Sequence, residues 1–383
     1  MLRDEAISGK LIIIAVALAL LATNTALKTA YEALWHTNLG IGLGRWSLTM
    51  DLRHWVNDGL MAIFFLVVGL ELKRELIRGE LRQFKTAILP FAAAVGGMVV
   101  PALIYVLFNM GSETLRGWAI PVATDIAIAV SLLALISKKA PSSIRLFLLT
   151  LAIVDDILAV LVIAIFYNTG INMAVLLMIV GLIAVTLLLQ KNKFLNLGSF
   201  IVIGLLMWVL VNASGVHASI AGAIVGMLAP IRVISRHKSS IAERLERLTI
   251  PISTLFVVPL FAFANAGIVL SLTSFKNAAA LPIAGGIIVG LVVGKVVGIV
   301  GVSWLMVKLG IAQLPSNSNW IHIIGVGMLA GIGFTVSIFV TELAFSDEQF
   351  INIAKISIFA ASAISALAGL WVLRFMNNKA YSE

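Results

Sequence analysis

The stretch LFLLTLAIVDDILAVLVIAIFY (residues 146–167) carries two adjacent aspartates, Asp155 and Asp156, inside an otherwise apolar run. One charged side chain at the centre of a bilayer costs roughly 2.5–3.5 kcal/mol on insertion scales. Two neighbouring carboxylates also repel each other, so the pair needs a cation, a proton or a basic partner to offset its charge. The stretch therefore predicts a membrane-spanning helix that handles cations or protons.

The composition of the whole chain agrees with a membrane location. Of the 383 residues, 61% are hydrophobic and 12% are charged, against about 25% charged in an average soluble protein. Apolar runs near 20 residues in length recur from end to end, and each is long enough to cross about 30 Å of hydrocarbon. The runs do not alternate as barrel strands do, so we predict an all-α polytopic membrane protein.

Charge and cysteine content exclude several classes of function. The net charge of +9 would suggest nucleic acid as a partner in a soluble protein, but here we assign the basic residues to cytoplasmic loops and expect no nucleic acid. The chain has no cysteine, which excludes disulfides, thiolate metal sites and cysteine nucleophiles. Acidic residues near the start favour a retained first helix over a cleaved signal peptide.

Twelve apolar windows are candidate membrane spans. They are Leu11–Ala30, Trp55–Leu72, Ala87–Phe108, Gly117–Ile136, Ile144–Tyr167, Ile171–Leu189, Leu197–Val211, Val216–Leu228, Leu248–Leu270, Leu281–Val302, Ile321–Leu343 and Ile351–Leu373. The seventh and eighth are short and nearly continuous, so eleven spans are the alternative. Twelve spans put both termini on one side, and the excess of Lys and Arg in the loops of that side predicts that it is cytoplasmic.

A partly polar segment follows the first span. Gly40–Leu52 reads GIGLGRWSLTMDL, which alternates roughly and is punctuated by glycine. This pattern is typical of a short β-hairpin outside the membrane, with a loose loop as the alternative. The exposed edge of such a hairpin would be a natural contact in a homodimer.

Ionisable residues at membrane depth form a short set beside the aspartate pair. Asp58 opens the second span, Asp125 lies in the middle of the fourth and Lys295 in the middle of the tenth. Lys295 can neutralise one aspartate and leave another to meet a cation. Because neighbouring positions on a helix point about 100° apart, the two adjacent aspartates cannot chelate one ion symmetrically. Which of them binds the cation and which pairs with the basic group stays open at this point.

Two spans are predicted to be interrupted. The fourth contains Pro121 followed by Thr124 and Asp125, and the eleventh contains four glycines, among them Gly331 and Gly333. Each interrupted span is the middle member of a triplet. Matched interruptions are typical of transporters, so we predict one transporter domain, residues 1–383, with inverted repeats at about 87–167 and 281–373. At the crossing, Asp125 would compensate the positive dipole charge of helix amino-terminal ends, and Lys295 would compensate the negative dipole charge of carboxyl-terminal ends.

Several motifs resemble a known family. They are Val68-Gly-Leu-Glu71-Leu-Lys73-Arg74-Glu75, Ala123-Thr124-Asp125-Ile-Ala127, Leu151-Ala-Ile-Val-Asp155-Asp156, Pro259-Leu-Phe-Ala-Phe-Ala-Asn265-Ala-Gly267 and Leu329-Ala-Gly-Ile-Gly-Phe-Thr335-Val-Ser337-Ile-Phe. In this order and over nearly the whole chain, they resemble the NhaA Na+/H+ antiporters of bacteria. The resemblance implies the NhaA fold, in which two discontinuous helices cross.

The resemblance also implies roles for the membrane residues. Asp156 would be the main Na+ ligand, while Asp155 would assist and pair with Lys295. Thr124 and Asp125 would line the crossing, and Asp155 and Thr124 would complete the Na+ site. Asp58, Gly331 and Gly333 would be accessory.

The activity implied is exchange of cytoplasmic Na+ or Li+ for external H+ in the bacterial cytoplasmic membrane. The family acts without a cofactor, is not enzymatic, is activated at alkaline pH and forms dimers through an external β-hairpin. We therefore expect Na+, Li+, H+, lipid and a second copy of the chain as partners.

The resemblance implies a pH-sensing cluster at the cytoplasmic mouth. Its members here are Glu71, Arg74, Glu75, Glu243, Arg244 and Glu246. His217 matches a family histidine, and we assign it a regulatory role, with a satisfied core residue as the alternative.

Competition between protons and Na+ for the carboxylates of Asp155 and Asp156 is the predicted mechanism. We expect two protons to be exchanged per Na+, and the interrupted-helix domain to rock during alternating access. A Na+-coupled symporter of a small solute is the main alternative. An intramembrane aspartyl protease and a channel fit less well, because a protease needs aspartates on separate helices and a channel needs no lysine beside them.

Overall fold

Helices dominate the structure, a computed structural model that describes residues 2–43, 46–79, 82, 84–135, 141–168, 170–192, 194–231, 239–269 and 281–376. The α-helices are α1 (Leu2–Thr23), α2 (Lys28–Trp35), α3 (Leu52–His54), α4 (Met61–Arg78), α5 (Phe84–Asn109), α6 (Ile126–Leu135), α7 (Ser142–Phe166), α8 (Met173–Lys191), α9 (Leu197–Ala213), α10 (Ile220–Leu228), α11 (Ile241–Ile252), α12 (Val258–Asn265), α13 (Pro282–Val289), α14 (Lys295–Lys308), α15 (Trp320–Ala330), α16 (Phe334–Ala344) and α17 (Glu348–Trp371). A 3-10 helix covers Glu113–Val122, and π-helical turns cover Trp55–Leu60, Ser253–Val257, Gly290–Gly294 and Val372–Met376. The predicted all-α class is confirmed.

The predicted spans overlap helical segments, and non-helical residues interrupt the first, fourth and eleventh within the described part of the chain. Windows four and nine end at residues 136 and 270, which lie outside that part of the chain. Seven described helical stretches are long and apolar enough to cross a membrane, or up to nine if each bent pair counts as one span. The remaining windows are the second, seventh and eighth; α9 is a shorter apolar helix, and α10 has only nine residues.

The first span departs from the prediction. One straight helix was expected over Leu11–Ala30, but α1 ends at Thr23 and the chain turns by 115° into α2. The hydroxyl of Thr23 donates to the carbonyl of Ala19 at 2.7 Å, and the Asn24 amide donates to that of Leu20 at 2.8 Å. Both polar side chains satisfy helix carbonyls at the point where the backbone turns away, which hydropathy alone does not register.

The eighth span contains only the nine-residue helix α10, whose carboxyl end is capped by side chains from other helices. The Lys73 ammonium donates to the Met227 carbonyl at 2.8 Å, and the Gln190 amide donates to the Leu228 carbonyl at 2.6 Å. Burial lowers the pKa of Lys73. A cation near the negative end of a helix is electrostatically favourable, so Lys73 both caps and charge-matches α10.

The polar segment after α2 forms the predicted hairpin. Strands β1 (Asn38–Leu43) and β2 (Trp46–Asp51) pair antiparallel, with Asn38 opposite Asp51 and Leu43 opposite Trp46. Positions 44 and 45, between the strands, lie outside the described residues. The indole of Trp55 donates to the Leu39 carbonyl at 2.9 Å, which ties the hairpin to the beginning of the second span.

Two histidines surround the carboxylate at the base of the hairpin. Asp51 accepts from the backbone N–H of His54 at 2.7 Å, and its carboxylate also lies 2.7 Å from Nδ1 of His54 and 4.0 Å from Nδ1 of His36. Burial acts to raise the pKa of Asp51, but the hydrogen bonds and charge of His54 outweigh burial and hold the pKa below its ordinary value.

The chain divides into two compact units. The first unit comprises Met1–Ile13, Glu75–Ala159 and Ile268–Glu383, and the second comprises Ile14–Arg74 and Val160–Gly267. The second unit has an apolar core that includes Phe200, Met207 and Leu245. The first unit contains both predicted triplets except for residues 160–167 of the fifth span, and the relation of the triplets as inverted repeats remains a prediction.

Backbone contact between α5 and α14 determines the packing of the first unit. Gly96 and Gly298 face each other so closely that a methyl group on either would collide with the backbone of the other. A methyl group on Gly97 would press on Ile299 and approach the side chain of Lys295. Small residues allow membrane helices to approach in this way. The contact therefore sets the depth and orientation of Lys295 on α14.

Replacing Gly298 should destabilise the first unit. We expect Gly298→Ala to cost about 1–3 kcal/mol, because the added methyl overpacks a backbone contact. The matched control is Gly301→Ala on the same helix, where an added methyl meets nothing within contact distance. Thermal unfolding of both variants in detergent should show a lower midpoint for Gly298→Ala only, and equal midpoints would contradict the packing described.

Candidate functional site

Two interrupted helices meet inside the first unit. In the fourth span the 3-10 helix ends at Val122, Ala123 is extended, and α6 begins at Ile126. In the eleventh span α15 ends at Ala330 and α16 begins at Phe334, with a bend of 44° between them. A methyl group on Gly331 would collide with the Leu291 carbonyl and the Ser365 hydroxyl. Gly331 therefore both interrupts the helix and allows its neighbours to pack closely.

Groups of the fourth span satisfy the carbonyls that the eleventh span exposes. The backbone N–H of Asp125 donates to Ile332 at 2.6 Å, and the Thr124 hydroxyl donates to Ala330 at 2.8 Å. In the opposite direction, the Ser337 hydroxyl donates to the Ile120 carbonyl at 2.7 Å. Each interruption thus supplies the partners that the other lacks, which unpaired backbone groups at membrane depth require.

The carboxylate of Asp125 lies at the amino-terminal ends of two helices. Its Oδ1 accepts from the backbone N–H of Ile128 at 3.1 Å, in the first turn of α6. Its Oδ2 accepts from the backbone N–H and the hydroxyl of Thr335, at 3.1 and 2.5 Å, in the first turn of α16. Asp125 is 2% exposed, so its negative charge is offset chiefly by these donors and by the positive ends of both helices.

Asp155 forms a buried ion pair with Lys295. Their Oδ2 and Nζ atoms are 2.8 Å apart, and the residues are 1% and 0% exposed. Lys295 begins α14 directly after the π-helical turn Gly290–Gly294. Lys295 therefore pairs with an aspartate, and its expected role at the carbonyl ends of the crossing stays a prediction. The second oxygen of Asp155 is buried and has no hydrogen-bond partner among the described residues.

Asp156 is buried beside this ion pair, on the same helix and about 100° further around it. The two adjacent carboxylates are consequently not equivalent, because the ammonium is bonded to Asp155. Among the described residues, no three or more His, Asp, Glu or Cys side chains gather closely enough to hold a metal ion. Asp125, Asp155 and Asp156 thus do not form a single three-carboxylate cage.

Asp58 and His217 form a polar cluster in the second unit. Nε2 of His217 lies 3.2 Å from Oδ1 of Asp58, and its Nδ1 lies 2.7 Å from the Ser219 hydroxyl. The indole of Trp208 donates to the Asp58 carbonyl at 3.1 Å. Asp58 lies in the π-helical turn Trp55–Leu60, a feature that often marks functional sites. Sequence placed Asp58 and His217 in separate roles, whereas the structure brings them together.

Most members of the predicted pH-sensing cluster belong to the second unit. Arg74 approaches Glu246 at 3.8 Å, and Arg244 donates to the Ser239 hydroxyl at 3.2 Å. Glu71 lies on α4, and Glu75, also on α4, belongs to the first unit. The structure gives Glu243 a second role, because it forms a capping box with Ser240 at the start of α11.

Several polar residues at membrane depth were not predicted as site residues. Thr335, Ser337 and Ser362 bond to groups at the crossing, and Glu342 pairs with Lys355 at 2.6 Å. In the second unit, Asn57 and Asn265 exchange amide hydrogen bonds while both are buried. The sequence could have indicated the pairing of Glu342 with Lys355, because opposite charges lie on consecutive apolar helices. Single hydroxyl groups give no such indication.

Interrupted helices that cross beside buried carboxylates and a lysine define a helical membrane transporter. The chain matches the model of the Na+/H+ antiporter 1 family over residues 1–373 and therefore belongs to that family. It is 46% identical over 379 residues to Na(+)/H(+) antiporter NhaA 2 of Clostridium beijerinckii, which covers 99% of this chain and 94% of that protein.

Other relatives cover the chain to a similar extent. Na(+)/H(+) antiporter NhaA of Pelagibacter ubique is 44% identical over 382 residues, or 98% of this chain and 96% of that protein. Na(+)/H(+) antiporter NhaA of Vibrio campbellii is 43% identical over 386 residues, or 100% of this chain and 96% of that protein. The resemblance carried by the motifs is therefore confirmed across the whole length.

Removing one partner of the buried ion pair should cost more than removing both. We expect Lys295→Met to destabilise the protein by about 3–5 kcal/mol, because it leaves the Asp155 carboxylate buried without a cation. The double variant Asp155→Leu/Lys295→Met should recover much of this loss. Thermal unfolding at neutral pH measures both, with Lys308→Met, an exposed lysine at the end of the same helix, as control. A double variant no more stable than Lys295→Met would refute the pairing.

Proposed function

We propose that this chain exchanges cytoplasmic Na+, or Li+, for external H+ across the bacterial cytoplasmic membrane. The single observation that carries the proposal is the Lys295–Asp155 pair at 2.8 Å, with Asp156 buried at the adjacent position. This arrangement provides a bonded carboxylate, a neighbouring carboxylate and an ammonium within one buried site. Membership of the Na+/H+ antiporter 1 family supports the choice of ions.

Competition for the carboxylates accounts for the coupling. Asp156 binds either a proton or Na+, because one carboxylate cannot satisfy both charges at once. Asp155 turns to the cation when Na+ enters, and Lys295 then loses the partner that holds its proton. Two adjacent carboxylates that interact strongly titrate as a coupled pair, so proton release belongs to the site and not to one residue.

The proposed exchange is electrogenic. When one Na+ binds, one proton leaves the carboxylic acid of Asp156 and a second leaves the ammonium of Lys295. Two protons therefore move against one Na+, and each cycle transfers one net positive charge inward. Thr124, whose hydroxyl donates to Ala330, retains oxygen lone pairs with which to complete the Na+ shell.

Alkaline activation is assigned to the polar clusters of the second unit. The His217–Asp58 pair is ionic only when the imidazole is protonated. Arg74 and Glu246 contribute a second ion pair near the beginning of α11. Loss of the histidine charge on alkalinisation would weaken the contact between the π-helical turn of the second span and the segment before α10.

A homodimer formed through the hairpin completes the proposal. Strands β1 and β2 pair only with each other within the described residues, so each has an edge with which a second copy can pair. A cytoplasmic location for both termini follows from an even number of spans and from the distribution of basic residues.

Replacing Asp156 tests the ion site directly. In proteoliposomes containing a pH-sensitive dye, we expect Asp156→Asn to reduce Na+-driven proton flux at least roughly a hundredfold, since an amide neither takes up a proton nor offsets a cation. The control is Asp347→Asn, an exposed carboxylate that caps α17, and it should retain normal flux. Normal Na+-driven flux in Asp156→Asn would contradict the assignment of the ion site. Absence of flux in the unaltered protein would contradict the proposed function.

Replacing His217 tests the pH switch. In this proposal the His217–Asp58 ion pair stabilises the inactive conformation, and its loss favours the active one. We expect His217→Gln to move the activation midpoint to lower pH by roughly 0.5 unit, as for an ion pair of about 0.7 kcal/mol. His54→Gln, in the pair that His54 forms with Asp51 near the hairpin, is the matched control. Sodium-dependent proton flux at several pH values measures both, and coincident profiles would exclude this role for His217.

A further inference from the structure

One face of α17 follows both halves of the interrupted eleventh span. The positions that make up this face recur at intervals of three and four residues and are all at least partly buried, which places them on a single stripe. They are Lys355, Ile358, Ser362, Ser365 and Gly369. Contacts along the stripe extend from the far end of α16, past the interruption, to the last turn of α15.

At the far end of α16, Lys355 pairs with Glu342. Nζ and Oε1 are 2.6 Å apart, and the two side chains are 5% and 17% exposed. A buried ion pair is seldom a net source of stability, because removing two charges from water costs several kcal/mol per ion. Such pairs more often specify one arrangement of the elements that they join. Here the pair fixes the register of α16 against α17.

At the interruption, α17 provides the cap that α16 lacks. The residue before α16 is Gly333, which has no side chain to accept a hydrogen bond from the first turn. The hydroxyl of Ser362 accepts instead from the backbone N–H of Phe334, at 3.4 Å. The next backbone N–H, that of Thr335, donates to Asp125. Consecutive donors at one helix end are thus held by Ser362 and by the carboxylate of the crossing.

Beyond the interruption the stripe packs closely on α15. A methyl group on Gly331 would collide with the Ser365 hydroxyl, and one on Gly369 would collide with the side chain of Leu329. The Ser365 hydroxyl is itself buried, with no hydrogen-bond partner in the part of the chain that the structure describes. Helix α17 therefore contacts the eleventh span on both sides of the bend, and this contact includes the first donor of α16.

We infer that Ser362, with the Lys355–Glu342 pair, positions the amino-terminal end of α16 and through it the carboxylate of Asp125. This inference rests on the proposed function in one respect: the exchange of Na+ identifies Na+ as the ion whose binding is measured in the test. Without the Ser362 hydroxyl, the N–H of Phe334 is buried and unpaired, one residue from the donors that hold Asp125. The site then binds its cation less tightly, although none of its ligands has changed.

The test compares two buried serines on α17. Ser357 is 1% exposed and donates only to the Ile353 carbonyl of its own helix, so Ser357→Ala is the matched control for Ser362→Ala. We expect Ser362→Ala to raise the dissociation constant for ²²Na+ and the KM for Na+ at least roughly fivefold, about 1 kcal/mol, with kcat within about twofold. Ser362→Thr, which keeps the hydroxyl, should restore most of the affinity.

The ion pair is tested by exchanging its charges. Glu342→Gln should raise the KM for Na+ in the same direction, and Glu342→Lys/Lys355→Glu should recover affinity relative to either single change. A loss confined to folded yield, or a change in kcat without a change in KM, would indicate a merely structural role and overturn the inference.

Equal Na+ affinities for Ser362→Ala and Ser357→Ala would likewise overturn it. Because ²²Na+ binding is measured directly, this outcome differs from failure of the proposed function, in which the unaltered protein binds Na+ but moves no protons.

Discussion

Backbone groups that an interrupted helix exposes at membrane depth must be paired within the protein, and the crossing of the fourth and eleventh spans follows from this constraint. Thr124 and Asp125 satisfy carbonyls of the eleventh span, while Ser337 satisfies one of the fourth. The carboxylate of Asp125 then holds the first turns of two helices. Without these reciprocal bonds neither interruption would be stable in the unit that contains Asp155 and Lys295.

The two neighbouring aspartates of the ion site have different surroundings. Asp155 and Asp156 are adjacent and both buried, and Oδ2 of Asp155 lies 2.8 Å from the ammonium of Lys295. The position of that ammonium depends in turn on the approach of α14 to α5 at paired glycines. Ion chemistry at the site is therefore governed by how closely two backbones can approach, one turn away from the charges themselves.

Sequence predicted the helical class, both interruptions and the hairpin, because Pro121, clustered glycines and alternation leave local signals. It predicted the pairing of Asp155 with Lys295 only through the family resemblance, since the order of two neighbouring acids contains no information about distant partners. The bend after Thr23 and the capping role of Glu243 were missed, because both arise from side chain-to-backbone bonds that hydropathy does not weigh. Ser337 and Ser362 were missed because a serine in a membrane helix usually bonds to its own backbone, as Ser357 does.

Helix α10 has a consequence for biosynthesis. Nine residues span about 13.5 Å, less than half of the hydrocarbon thickness, so this segment is too short to partition into the bilayer as an independent span. Its terminal carbonyls are satisfied by Lys73 and Gln190, and Lys73 precedes its partner by 154 positions. The ribosome thus synthesises α4 and α8 before α10, the helix whose terminal carbonyls they bond. Insertion of α10 is consequently a late assembly step, in which earlier helices serve as the acceptor in place of the lipid.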